Sequence, residues 1–179
     1  RASNAQSIKM GCMMGDVEAD GPIPGEYSMI SFGAVLVDSS LDKTFYGKLK
    51  PISEKFIPEA LAVSNLTREQ TLLHAEPTLV MQEFADWLKL NSKGKPGSKP
   101  MFISDNNGFD CRDWFEGKVP FGHSSTNLGS LYKGIVKSTF ENFKHLRKTK
   151  HTHNPVDDAL GNAEALLTIV EKYGLKISL

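Results

Sequence analysis

Apolar and polar positions alternate with short periods over the first fifty residues and with longer ones afterwards. Residues 8–14, Ile-Lys-Met-Gly-Cys-Met-Met, predict a first strand that runs out into Asp16 and Glu18, although methionine and glycine are weak strand formers. Gly21-Pro22-Ile23-Pro24-Gly25 then reads as a surface loop. Ser28 to Asp38 is almost continuously apolar, the pattern of a strand buried on both faces. After a turn at Ser39-Ser40-Leu41-Asp42, the alternation from Lys43 to Lys50 predicts a third strand closing an antiparallel meander.

Helical spacing follows. Pro58 to Val63 predicts a short helix, and Thr67-Arg68-Glu69-Gln70 carries the T-x-x-Q spacing of a capping box. Pro77 opens an amphipathic helix to Leu90, with Leu79, Val80, Phe84, Trp87 and Leu88 on one face. Residues 91–100 are polar and loop-like, and Met101-Phe102-Ile103-Ser104 suits a central strand. Residues 111–120 leave room only for a short helix. A weak strand at Phe121 to Ser125 precedes helical stretches near 127–136 and 139–146. The chain closes with a helix from Pro155 to Tyr173, where Val156, Ala159, Leu160, Ala163, Leu166, Leu167 and Val170 form the apolar face and Gly174 the stop. Three strands followed by helices that alternate with further strands predict an α/β domain with a mixed sheet.

Composition adds limits. The 179 residues fit one domain, expected over residues 7–179, with residues 1–6 read as a tag remnant around Ser3-Asn4-Ala5 or a disordered N-terminus. With 40% hydrophobic and 23% charged residues the composition is that of an ordinary globular protein. The formal net charge is zero, so only local charge is informative. Cys12 and Cys111 form neither a disulfide framework nor a C-x-x-C metal spacing, and a reducing, cytoplasmic setting is expected. No apolar run reaches the roughly 20 residues of a membrane span, and no signal-peptide pattern is present, so no membrane partner is expected.

The chemistry-bearing residues are mostly acidic. In a strand, side chains two apart share a face, so Asp16 and Glu18 project together. Two adjacent carboxylates repel unless a hard cation such as Mg²⁺ or Mn²⁺ compensates them, while a solvated strand end is the plain alternative. Asp110 follows the central strand, where sites are built but where helix caps also occur. Asp157 and Asp158 fall in the first turn of the last helix, a position that also suits the helix dipole. His153 lies in the loop just before that helix. Residues 131–153 carry Lys133, Lys137, Lys144, Arg147, Lys148 and Lys150 against Glu141 alone, whereas residues 16–38 hold five acids and no Lys or Arg. The molecule is therefore polarised.

In order, these residues spell D-x-E at the end of the first strand, F-D after a later strand, and H-x-x-x-x-D entering the last helix. The motifs read GDVEADGP, SDNNGFD and HTHNPVDDALGNAEAL. This set resembles the histidine branch of the DEDD superfamily of 3′–5′ exonucleases from about residue 10 to residue 173, and within it bacterial exonuclease-like proteins with a DVEADGPIPG opening. The resemblance implies a ribonuclease H-like fold with a central mixed five-stranded sheet flanked by helices. It implies that Asp16, Glu18, Asp110 and Asp158 hold two divalent ions, Mg²⁺ or Mn²⁺, and that His153 is the general base, with His151 as a rival of less fitting spacing. Ala19, Asp20, Gly21, Asn106 and Phe109 become expected contacts to a 3′-terminal nucleotide. Lys144, Arg147 and Lys148 become expected contacts to upstream phosphates, with Lys150 beside them. The segment between Asp110 and Ser124 is shorter than the family's usual helix there, which bears on the wall around Trp114 and Phe115.

The expected reaction is two-metal hydrolysis of single-stranded RNA or short oligonucleotides to nucleoside 5′-monophosphates, RNA being favoured because no separate DNA-binding module is present. The alternatives are a DNA 3′–5′ exonuclease of proofreading or repair type and an inactive nucleic-acid-binding module of the same fold. A homodimer is a possible assembly.

Overall fold

The computed structural model describes residues 11–92, 99–110 and 120–177. The expectations for residues 1–6, for most of the 91–100 loop and for the short helix and cleft wall at residues 111–119 lie outside the described residues.

The first strand, β1 (Cys12–Ala19), is the centre of the molecule. It pairs antiparallel with β2 (Met29–Val37) on one side and parallel with β4 (Met101–Ser104) on the other. β3 (Thr44–Lys48) extends the sheet antiparallel beyond β2, and β5 (Ser125–Asn127) extends it parallel beyond β4. The result is a mixed five-stranded sheet of order β3-β2-β1-β4-β5 flanked by helices. The poor strand formers Cys12, Met13 and Met14 hold their conformation because they are buried in the sheet's middle, where packing overrides propensity.

Helix α3 (Pro77–Asn91) covers one face of the sheet. Its Val80, Phe84 and Leu88 pack with Met13, Val17, Phe32, Leu36 and Phe102. The other face is covered by α4 (Leu128–Val136) and α5 (Pro155–Tyr173), which pack with Cys12, Met14, Val35, Val37 and Ile103. Alternation along β1 therefore places Asp16 and Glu18, in step with Met14, on the face that carries α5.

Two short helices, α1 (Pro58–Val63) and α2 (Arg68–Leu72), return the chain from β3 toward the end of β1, where the Ile57 N–H donates to the Asp20 carbonyl at 2.8 Å. The capping box is present: Thr67 Oγ1 accepts from Gln70 N at 3.2 Å, and Gln70 Oε1 accepts from Thr67 N at 2.8 Å.

Two boundaries differ from expectation. The last strand is Ser125–Asn127 rather than Phe121 to Ser125, because Phe121 is a core plug whose ring stacks on Phe102 at 4.7 Å instead of joining the ladder. The stretch 139–146 holds only a 3₁₀ turn at Lys144–Leu146. There Ser138 and Asn142 side chains accept from nearby backbone N–H groups and compete with helix, and only Phe143 is buried. Among the described residues, no helix is long and apolar enough to cross a membrane.

Candidate active site

The site is built where β1 ends. Asp16 pairs with Gly33 and Glu18 with Ser31, and the register shifts between Glu18 and Ala19, an irregularity of the kind that re-aims side chains near sites. The first turn of α5 lies directly on Gly33. A Cβ there would come within 2.1 Å of the Pro155 carbonyl oxygen, so only glycine admits this approach. That contact carries Asp158 over β1. Asp16, Glu18 and Asp158 each offer a carboxylate oxygen within 4.8 Å of one another. Asp110 reaches the same place from the turn after β4, its Oδ1 accepting the Val17 N–H at 3.1 Å and its own N–H donating to Asn106 O at 2.9 Å.

Electrostatics record the crowding. Burial, followed by the charges of Asp110, Glu18 and Asp158, raises the Asp16 carboxyl well above its ordinary range, with Arg147 pulling the other way. Burial and then Asp158 and Asp110 push Glu18 up to about 7. Burial pushes Asp110 to about 7 against hydrogen bonds from Val17, Asn106 and Ser104. Like charges this close resist ionisation together, and a divalent cation is the partner that relieves them.

Asp158 is the most firmly held of the four. Its Oδ1 accepts from Thr152 N at 3.2 Å and its Oδ2 from His153 N at 3.0 Å. His153 adopts φ +60°, in the left-handed region, where consecutive N–H groups can turn toward one anion. His151 Nδ1 stands 2.8 Å from Oδ1, and the Arg147 guanidinium donates to the Asp158 carbonyl at 2.8 Å while lying 3.6 Å from Oδ1. The two histidine rings meet edge to face, 4.2 Å between centroids.

A cleft of about 310 Å³ opens on this cluster, lined by Asp16, Val17, Glu18, Ala19, Ala60, Val63, Asp105, Asn106, Phe109, Asp110 and His151. Of the expected substrate contacts, Ala19, Asn106 and Phe109 are in the cleft. Lys144 stands near its rim, 3.7 Å from Asp105. Four lie elsewhere. Asp20 is fully buried and paired with Arg68 at 2.9 Å. Gly21 is packed beneath the Tyr27 ring, which a Cβ would meet at 2.1 Å. Arg147 is enclosed behind Asp158, with a side chain only 7% exposed, so it is no tracker of upstream phosphates. Lys148 faces a separate groove with Ser39, Leu41, Leu160 and Glu164.

Sequence reasoning missed Ala60 and Val63. The available signal was the unbroken apolar run Ala60-Leu61-Ala62-Val63 in so short a helix, more apolar positions than one face can bury; the structure buries Leu61 alone and leaves Val63 43% exposed. Asp105 and the contact of His151 to Asp158 were also missed, although both lie inside the motifs SDNNGFD and HTHNPVDDALGNAEAL.

Comparison with known proteins agrees with this geometry. The chain is 34% identical over 177 residues to the 3′–5′ DNA exonuclease Cap18 of Escherichia coli, covering 90% of this chain and 91% of that protein. The chain belongs to the 3′–5′ exonucleases. The exonuclease shares its fold with the nuclease domain of 3′hExo, a DEDDh family member solved with rAMP, at a TM-score of 0.74 and 16% identity over 97% of this chain and 98% of that one. It also matches E. coli Exonuclease I in complex with a dT13 oligonucleotide, at a TM-score of 0.68 and 13% identity over 92% of this chain and 41% of that one. No protein-family model matches the exonuclease.

Proposed function

We propose that this exonuclease removes nucleoside 5′-monophosphates from the 3′ end of single-stranded nucleic acid, with DNA as the main substrate, and that it depends on two divalent ions, Mg²⁺ or Mn²⁺. The observation that carries the reading is the convergence of Asp16, Glu18 and Asp158 oxygens within 4.8 Å, with Asp110 beside them, in an open cleft. An all-oxygen donor set of carboxylates suits hard cations. Such ions, when bound, neutralise charge on the attacked phosphate and its leaving oxygen. Asp16, Glu18, Asp110 and Asp158 would hold them.

Ala19, Ala60, Val63 and Phe109 offer the terminal nucleoside an apolar enclosure, and Asn106 a polar group at its edge. Water attacks the phosphorus, the P–O3′ bond breaks, and the shortened strand leaves with a 3′-hydroxyl. DNA is supported by the name of the 34% identical relative. The expectation of RNA rested on the lack of a separate DNA-binding module, and none of the cleft residues is assigned to a 2′-hydroxyl. End-labelled single strands of each polymer, incubated with Mg²⁺, Mn²⁺ or EDTA, test the reading: 3′ trimming of DNA that is abolished by EDTA is expected, faster trimming of RNA reverses the preference, and trimming of neither removes it.

The general base is proposed to be His153, which has the five-position spacing to Asp158 and would take the proton of the attacking water. A second reading, His151, is favoured by its ring lining the cleft and its contact to Asp158. Asparagine tolerates the left-handed backbone at position 153 and is the substitution of choice. His153→Asn should lower kcat by about a hundredfold or more while divalent-ion affinity by calorimetry changes little. A larger loss in His151→Asn assigns the role to His151.

A further inference from the structure

Asp20 and Arg68 join the strand that carries the metal carboxylates to the helix that forms part of the cleft. Asp20 follows the irregular end of β1, and each of its polar groups is engaged. Its N–H donates to Ser28 O at 3.0 Å and its carbonyl accepts from Ile57 N at 2.8 Å. One carboxylate oxygen accepts from Ser28 N at 2.6 Å and the other from Arg68 Nη1 at 2.9 Å. Ile57 is the N-cap of α1, so the Asp20 main chain fixes where that helix begins. Arg68, the first residue of α2, donates from its second terminal nitrogen to the Ser53 carbonyl, and its guanidinium lies 5.0 Å over the Phe56 ring. One side chain thus ties both ends of the 53–68 segment to the end of β1.

Among the described residues, the segment's other side-chain tie to the loop after β1 is the exposed Lys55–Glu26 ion pair at 2.8 Å, which contributes little. A helix of six residues is not stable alone, and α1 buries only Leu61. Yet Ala60 and Val63 of α1 line the cleft together with Ala19, which immediately precedes Asp20. A partly buried guanidinium with fixed fork geometry suits this task, because it sets direction as well as distance toward three partners, which an ammonium cannot.

We propose that Asp20 and Arg68 are positioning residues of the exonuclease: their ion pair holds α1 against the end of β1 so that Ala60 and Val63 close on the 3′-terminal nucleotide. This rests on the placement of that nucleotide in the cleft proposed above. The pair touches none of the metal carboxylates, so it governs binding of the terminal nucleotide and leaves the chemical step alone.

The test compares Arg68→Lys, Arg68→Met and the double variant Asp20→Asn/Arg68→Met, which leaves no buried charge without a partner and keeps the question open should the single methionine variant fail to fold. With single-stranded oligonucleotide as substrate, KM should rise about tenfold in the folded variants while kcat stays within about threefold of wild type, the signature of lost uniform binding. Affinity for a nucleoside 5′-monophosphate should fall by a similar factor, Mn²⁺ affinity should be unchanged, and Arg68→Lys should fall between wild type and Arg68→Met. Unchanged KM and mononucleotide affinity in the folded double variant overturn the proposal, as does a joint fall of kcat and Mn²⁺ affinity, which would mark general loosening. A wild-type enzyme that turns over oligonucleotide but binds no mononucleotide overturns the placement of the nucleotide, and the proposal with it.

Discussion

Asp16→Asn and Asp158→Asn should each lower kcat on single-stranded substrate by at least about a thousandfold while leaving the fold intact. Asparagine is the informative replacement because it keeps the shape and one acceptor oxygen. In Asp158→Asn that oxygen can still accept from Thr152 N or His153 N, so the left-handed turn at His153 retains a partner. What is lost is one negative charge in a set of four, and with it the ability to balance two divalent cations. Removing a crowded charge should also relieve repulsion at Asp16, so metal-free Asp16→Asn should melt at or above the wild-type temperature, whereas Asp158→Asn gives up one backbone acceptor and its charge contact to Arg147 and should melt modestly lower while staying folded. Loss of activity in a variant that still folds and melts cooperatively separates a ligand from a structural residue. Wild-type turnover in either variant would rule out the two-metal proposal, and collapse of the fold would show that Asp16 or Asp158 is chiefly structural.

The legible parts of this molecule are those in which local sequence and tertiary environment agree. Pro155 to Tyr173 carries its start signal, its apolar stripe and its Gly174 stop, and α5 has those bounds. Asp16 and Glu18 could be placed on one face because a strand has a period of two. Asp110 and Asp158 could be joined to them only through the motif order, since nothing in a linear pattern states that Gly33 lets α5 sit directly on β2. The failures have the opposite character. Phe121 and its neighbours read as a strand, but the residue was needed as a ring on Phe102, and the polar Ser125–Asn127 makes the ladder instead. Arg147 reads as a surface cation in a basic run, but it is folded inward against Gly161 and the Asp158 carbonyl. Asp20 reads as part of the site because of where it stands in the motif, and its carboxylate points away from the cleft toward Arg68. Charge type was legible; the direction in which each charge faces depends on contacts distant in sequence.

In the absence of divalent ions, the enzyme should lose stability as the pH rises from about 5 to about 8. The sign follows from the carboxyls of Asp16, Glu18 and Asp110, all raised in the folded state. Between the ordinary carboxylate range and about 7, the folded chain binds protons at Glu18 and Asp110 that the unfolded chain has already released. The unfolded state binds fewer protons there, so the free energy of unfolding falls with rising pH through that window. A tenfold gain in proton affinity on folding corresponds to about 1.4 kcal/mol, which makes the combined effect on the order of a few kcal/mol once the partial exposure of Glu18 and the mutual repulsion among the groups are discounted. Divalent ions bind the ionised cluster and compete with protons, so Mg²⁺ or Mn²⁺ should raise the melting temperature strongly at about pH 8 and little at about pH 5. Glu18→Gln should flatten the metal-free pH slope and weaken the stabilisation by metal together, because one carboxylate feeds both. Thermal melts across pH with and without metal measure all of this. A metal-free stability that is flat or rising through the window would mean that the cluster does not carry protons in the folded enzyme, and the balance between protons and cations drawn from its geometry would be wrong.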